Sequence, residues 1–334
     1  MLKITGNYFL GIFLYTLVII LLADFGRILL KYVFHASWIH SRTAFTVTGA
    51  ICALLILLLS ACGIFHAKYI KTTSYDVIIN KTIPERTSMK VVLLADTHFG
   101  YNAGVLHARE LVRKINKQKP DLVCIEGDIF DNQYDAIRNP EKLEKTLRGI
   151  KSTYGVYACW GNHDLNEEIL AGFTFKHKDG DLSDIKDPRM KKFLEDSNIH
   201  ILEDESVLIN DQFYVIGRKD ASLTEKIHET RKAPAQLTEK LDRDKPIIMI
   251  DHQPKELQEL ADAGVDLDLC GHTHNGQTFP GNLTIKPMWE NPCGLLSKDN
   301  MTNITTSGAG VWGPAMRIGT DSEICSINIQ LKKA

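Results

Sequence analysis

The chain has 334 residues, 44% hydrophobic and 24% charged, with a formal charge of −2 at neutral pH. A general nucleic-acid binder carries a basic excess, so this near-neutral balance excludes that class. Seven cysteines lie scattered without a CxxC pair, which argues against a disulfide framework and fits a reducing compartment.

Ile4 to Ala23 carries no charge, and Thr43 to Phe65 is a second uncharged run. Each reaches the roughly 20 residues that a helix needs to cross a hydrocarbon core. No small-x-small cleavage site follows Leu22, which disfavours a cleaved signal peptide. A core helix of this length would show a polar face, and neither run does. The sequence therefore predicts a membrane anchor over residues 1–68, with spans at about 4–23 and 43–65. Asp24 to Arg42 reads as the loop between them, with Tyr32, Phe34 and Trp38 suited to an interface. The basic flanks are nearly balanced. Their small bias puts both termini inside, on the cytoplasmic face of a bacterial inner membrane.

Residues 69–334 have the composition of one α/β domain. Ile70 to Ile79 reads as an edge strand, and Met89 to Ala95 as a short apolar strand covered on both faces. Val105 to Lys117 has helical apolar spacing, Leu122 to Ile125 is another buried strand, and a helix is expected over Pro140 to Ile150. With Val156 to Trp160 this is a βαβ pattern. Glu167 to Asp187, with Gly172, Phe173, Phe175 and Gly180, reads as a solvated insertion, the alternative being a lid or membrane-facing cap. Short strands follow at Ile199 to Leu202, Ser206 to Ile209 and Phe213 to Gly217. A charged helical stretch over Thr224 to Lys245 is broken at Pro234. Pro246 to Ile250 and Val265 to Leu269 are further buried strands, around a helix at Lys255 to Ala263. Thr302 to Leu331 reads as two more strands across a Gly-rich turn.

Five of these strand ends carry polar groups: Asp96-Thr97-His98, Gly127-Asp128, Gly161-Asn162-His163-Asp164, Asp251-His252 and Gly271-His272-Thr273-His274. Open sheets place sites at the carboxyl ends of their strands, so ligands from neighbouring strands can converge there. Imidazole and carboxylate donors without thiolate suit manganese, with iron or zinc as alternatives. The donors Asp96, His98, Asp128, Asn162, His252, His272 and His274 exceed the needs of one ion with an open position. Two divalent ions sharing a carboxylate is the natural solution. Such pairs sit roughly 3.5–4 Å apart, clamp phosphate and generate hydroxide near neutral pH.

The ordered series resembles the calcineurin-like metallophosphoesterase superfamily over Asp96 to His274. That resemblance implies a four-layer αββα sandwich with two mixed sheets. It also implies one ion on Asp96, His98, Asp128 and His274, and the other on Asn162, His252, His272 and the shared Asp128. His163 would assist the leaving oxygen as a catalytic imidazole, with the catalytic carboxylate Asp164 orienting it. Gly127-Asp128-Ile129-Phe130-Asp131 lacks the tyrosine of purple acid phosphatases. Asp251-His252-Gln253-Pro254 and the stretch Gly308 to Arg317 are similar to a bacterial membrane-associated phosphodiesterase branch, some of whose members hydrolyse UDP-2,3-diacylglucosamine. Asn275 departs from that branch, which has glycine there. The expectation is a membrane-bound phosphodiesterase or pyrophosphatase for a nucleotide or lipid-linked substrate, with no nucleic-acid partner. Its alternatives are a broad phosphomonoesterase or a non-catalytic ligand-binding domain. Arg218 and Arg317 read as surface or packing arginines, and Trp312 as a brace for the Gly-rich turn.

Overall fold

The computed structural model describes residues 2–167, 169–170, 173–174 and 186–332. Its helices are α1 (Leu2–Tyr32), α2 (Arg42–Ala67), α3 (Val105–Gln118), α4 (Pro140–Leu147), α5 (Pro188–Asp196), α6 (Ala221–Lys226), α7 (Pro234–Thr238), α8 (Leu257–Asp262) and α9 (Gly281–Thr284). The strands are β1 (Ile70–Ile79), β2 (Ser88–Leu94), β3 (Leu122–Glu126), β4 (Val156–Cys159), β5 (Ile169–Leu170), β6 (Phe173–Thr174) and β7 (His200–Ile201). They continue with β8 (Glu205–Ile209), β9 (Phe213–Gly217), β10 (Ile247–Ile250), β11 (Leu267–Cys270), β12 (Gly294–Lys298), β13 (Met301–Thr305) and β14 (Ser322–Leu331).

Two six-stranded mixed sheets are formed, in the orders β1-β14-β2-β3-β4-β7 and β12-β13-β11-β10-β9-β8. Alternation along each strand explains their stacking, because successive side chains leave opposite faces. Val92 and Leu94 pack outward with Leu111, Ile115 and Leu143 of α3 and α4. Val91 and Leu93 pack inward with Ile248, Ile250, Leu267 and Leu269 of the second sheet. Ile247 and Met249 face the other way, onto Leu237 of α7 and Leu257 and Leu260 of α8. The layers are therefore helix, sheet, sheet, helix, as the αββα expectation had it. Strands buried on both faces need continuous apolar runs, which β10 has throughout and β2 and β3 over Val91 to Leu94 and Leu122 to Ile125; in β11 the buried Asp268 interrupts the run and accepts from Asn303.

Three sequence expectations need correction. The loop placed at Asp24 to Arg42 is shorter, since α1 continues through Asp24, Arg27 and Lys31 to Tyr32. Apolar residues at Phe25, Ile28 and Leu29 keep the helical spacing past the first charge. The two strands at the end of the chain do not form a hairpin. β13 joins the second sheet between β12 and β11, whereas β14 inserts into the first between β1 and β2. Finally α5, which starts on the cap Asp187 and Pro188, fills residues between the insertion and the next strand where no helix was expected. The proposed lid residues Gly172, Phe175 and Gly180 lie outside the described residues.

Both N-terminal helices are long and apolar enough to cross a bilayer. They also dock on the domain, α2 on the connection between β13 and β14 and α1 on the segment between β11 and β12. The amide of Arg317 donates to the Gly63 carbonyl at 3.0 Å, and the Tyr15 hydroxyl donates to the Phe279 carbonyl at 2.8 Å.

Candidate metal centre

β2, β3 and β4 are parallel neighbours in the first sheet, and β10 and β11 are parallel neighbours in the second. The loops after these five strands carry all seven expected ligands, so the sheet stacking brings their carboxyl ends to one place. Five of the seven leave the strand in the left-handed region: Asp96 (φ 54°), His98 (45°), Asp128 (49°), His272 (71°) and His274 (49°). Such conformations cost roughly 1–3 kcal/mol each outside glycine and persist where the surroundings impose them. Here they turn each side chain off the strand axis into the space between the sheets.

Two clusters result. Asp96, His98 and His274 form one, and Asp128, His252 and His272 the other, with ligand atoms within 4.8 Å of one another in each. Asp128 joins them. Its Oδ2 lies 3.2 Å from His252 Nε2 and 3.9 Å from His98 Nε2. Its Oδ1 accepts from the His163 amide at 2.7 Å, which fixes the carboxylate plane. Asn162 Oδ1 is 3.0 Å from His252 Nε2.

This donor set fits two cations on its own chemistry. The Nδ1–H of His252 donates to the Glu126 carbonyl at 2.8 Å, leaving Nε2 to face the site. Three further acceptors crowd that nitrogen: Asn162 Oδ1, Asp128 Oδ2 and His272 Nδ1 at 3.1 Å. A single proton on Nε2 could serve only one of them at good geometry. In the other cluster His98 Nε2 and His274 Nε2 face each other at 3.0 Å. Two ligand bonds of about 2.1 Å meeting at 90–110° hold their donor atoms about 3.0–3.4 Å apart, the spacing seen here. Burial pushes His98 and His272 down to about 3, so both rings are neutral and present lone pairs. Burial, His98 and the Arg317 guanidinium likewise hold His274 well below the usual imidazole range. Burial pushes Asp96 up to about 7, a cost that a divalent cation would remove.

Two glycines make the convergence possible. Gly127 has φ 71°, and a Cβ there would stand 2.5 Å from the Gly161 amide nitrogen and 2.8 Å from His252 Nδ1. A Cβ on Gly161 would in turn fall on the Asp128 carboxylate. The β3 and β4 loops therefore pack backbone to backbone under the shared carboxylate.

His163 borders the first cluster, its ring 5.4 Å from that of His98 and 5.6 Å from that of Trp312. Its orienting partner differs from expectation. Asp164 does not reach the imidazole, because its two oxygens accept from the amides of Phe130 (2.8 Å) and Gly161 (2.7 Å). His163 Nδ1 instead lies 2.7 Å from Asn132 Oδ1, and the Asn132 amide donates to the His163 carbonyl. Asn132 follows directly on Gly127-Asp128-Ile129-Phe130-Asp131, but its contact with His163 shows only once β3 and β4 lie side by side. Arg218 and Arg317 are fully buried rather than superficial. Arg218 donates to Asp251 (2.8 Å) and Glu256 (2.6 Å), clamping the strand end that carries His252. Arg317 gathers the carbonyls of His274, Ser307 and Gly310, and its Nη2 lies 3.2 Å from His274 Nδ1. Trp312 does brace its turn, through two hydrogen bonds to the Gln277 side chain, and also meets His163.

The family of calcineurin-like phosphoesterases matches residues 89–276, more than half of the chain. The chain belongs to that family. A metallophosphoesterase of Campylobacter jejuni is 32% identical over 257 residues, covering 74% of this chain and 61% of its own length. The transmembrane protein with metallophosphoesterase domain of Danio rerio is 31% identical, over 79% of this chain and 58% of its own. The UDP-2,3-diacylglucosamine pyrophosphatase LpxG of Chlamydia trachomatis is 22% identical, over 74% of this chain and 86% of its own. The chain thus spans about 60% of the length of the first relatives it matches. The family match covers all five motif loops from Asp96 to His274, so family and geometry meet on the same residues.

Proposed function

We propose that this chain is a membrane-anchored, dimetal phosphodiesterase or pyrophosphatase that cleaves a lipid-linked or nucleotide substrate such as UDP-2,3-diacylglucosamine. The observation that carries the reading is the position of Asp128 Oδ2, within 3.9 Å of a histidine from each sheet. In this reading Asp96, His98, Asp128 and His274 hold one ion, and Asn162, His252, His272 and Asp128 the other. Manganese suits the imidazole and carboxylate set. Ions so held supply Lewis acidity toward the phosphoryl oxygens and lower the pKa of water.

The chain's own residues then do the rest. Asp128, ionised because its imidazole neighbours outweigh the cost of its burial, keeps both halves of the site at fixed spacing. With Asn132 Oδ1 accepting from Nδ1, His163 leaves Nε2 facing the site, where it would take the proton that the attacking water releases and pass it to the departing ester oxygen. Asp164 keeps the loop bearing His163 against the loop bearing Asp128. The two apolar helices anchor the domain, on the cytoplasmic face of a bacterial inner membrane in this reading. A lipid-linked substrate then gains from a raised local concentration.

The test is turnover by the full chain, stripped with EDTA and reloaded with Mn²⁺, on UDP-2,3-diacylglucosamine, bis-p-nitrophenyl phosphate and p-nitrophenyl phosphate. Preference for the first two supports the proposal. Preference for the monoester would sink it in favour of a phosphomonoesterase, and no metal-dependent turnover in favour of a binding domain.

A further inference from the structure

Helix α1 meets the domain before it has crossed a bilayer. Tyr15 is buried, with its hydroxyl on the domain. The stretch beyond it, Thr16 to Tyr32, rises only about 26 Å at 1.5 Å per residue. A hydrocarbon core is about 30 Å thick. If α1 spans it, the bilayer extends past the point where α1 touches the domain, and whatever lies beside Tyr15 meets lipid.

Phe279 lies there, its carbonyl accepting from the Tyr15 hydroxyl at 2.8 Å. From Phe279 the chain forms α9 and a short helical turn over Lys286–Met288. Phe279 (43%), Leu283 (54%) and Met288 (71%) all hold their apolar side chains in the open. A soluble surface gains nothing from three such residues within ten positions, whereas a bilayer interface does. The next residue, Trp289, meets the His272 ring edge-on at 5.1 Å and carries Lys255 over its face at 5.5 Å. A cavity of about 430 Å³ opens at this point, lined by Gln253, Lys255, His272, Met288 and Trp289 among others.

We infer that residues 279–289 are a bilayer-dipping segment that delivers an amphiphilic phosphodiester or pyrophosphate from the membrane to the His272 side of the metal centre. This inference rests on the proposed hydrolase function and adds the route and the substrate class. Phe279 and Leu283 displace headgroups beside α1, Met288 continues the apolar track, and Trp289 and Lys255 receive the polar part. Lys255 offers its charge to a phosphate that has left water.

The test uses the full chain in phosphatidylcholine vesicles with Mn²⁺. Two probes are compared, hexadecyl p-nitrophenyl phosphate embedded in the vesicles and soluble bis-p-nitrophenyl phosphate. For L283S, kcat/KM on the embedded diester is expected to fall about tenfold or more, with the soluble diester unchanged. In parallel, p-benzoylphenylalanine replacing Leu283 should photo-crosslink to phospholipid, while the same probe replacing Leu208, exposed on β8, should not. Equal loss on both diesters, or no lipid captured at position 283, overturns the inference. A wild type inactive on both diesters overturns the hydrolase reading, and lipid capture then still decides whether the segment enters the bilayer.

Discussion

At the scale of single residues, the proposed hydrolase needs groups that hold cations and a separate group that moves a proton. Asp128 belongs to both clusters, so Asp128→Asn should remove one charge from each ion and lower metal content. Turnover should fall at least about 10³-fold, since neither ion keeps its place without the shared oxygen. His163 touches neither Asp128 Oδ2 nor a cluster nitrogen through a hydrogen bond among the described residues. His163→Gln should therefore retain metal and lose about 10²–10⁴-fold in kcat. Metal analysis beside steady-state kinetics separates the two, and loss of metal in His163→Gln would show that it is a ligand. The proposed ligands stand out in the sequence because each sits in a short motif at the end of an apolar run. Asn132 does not, because its role depends on β3 and β4 lying side by side. Asp164 was misjudged for the same reason. Being next to His163 in sequence says nothing about which of the amides of Gly161 and Phe130 its oxygens will meet.

Among the elements, the buried strands were legible and their neighbours were not. A run such as Ile247 to Ile250 has to be covered on both faces whatever its partners, so the residues alone announce it. Which sheet takes β14 is decided by pairing with Ile70–Ile79 and Ser88–Leu94, more than two hundred residues earlier. Nothing local records that. Helix α5 did have a local signal, the cap-and-proline pair Asp187-Pro188, hidden among charged residues. The Asp187 side chain accepts from the Arg189 amide at 2.9 Å and pairs with the Arg189 guanidinium. Those hydrogen bonds hold the Asp187 carboxyl below the usual carboxylate range. A depressed folded value means that its stabilisation is full above the unfolded pKa of about 3.9 and is lost as the pH falls through the folded one. Asp187→Ala should thus cost about 0.5–2 kcal/mol at pH 7. Urea midpoints should converge with wild type as the pH drops below about 4, and a gap that persists in acid would rule out the cap as its source.

For the molecule as a whole, the two apolar helices and the candidate metal centre share one connection. The loop from Thr306 to Asp321 passes over the site, where its amides at Ala309 and Gly310 donate to the carbonyls of Ala95 and Asp96. The same loop rests on α2, with the Arg317 amide on the Gly63 carbonyl and Ile318 against the Gly63 backbone. The Arg317 side chain then reaches the His274 carbonyl at 3.3 Å. A displacement at Gly63 is therefore transmitted within one residue to a proposed ligand. A Cβ at Gly63 would stand 2.8 Å from Ile318 Cγ1 and 3.4 Å from the Arg317 carbonyl, so Gly63→Leu must push the loop away. Overpacking of this kind costs about 1–3 kcal/mol. The expected result in detergent-solubilised full chain is a lower melting temperature, and metal content reduced from about two ions per chain toward one. The ion lost should be that of the His274 set. Gly49 lies on the same helix with nothing within 4 Å of its built Cβ, so Gly49→Leu controls for the change in helix composition. It should keep its metal and gain about 0.5–1 kcal/mol of helix stability. If both variants keep two ions, the helices anchor the domain without shaping its centre. If only Gly63→Leu loses one, the membrane helices are part of the scaffold that holds His274 in place.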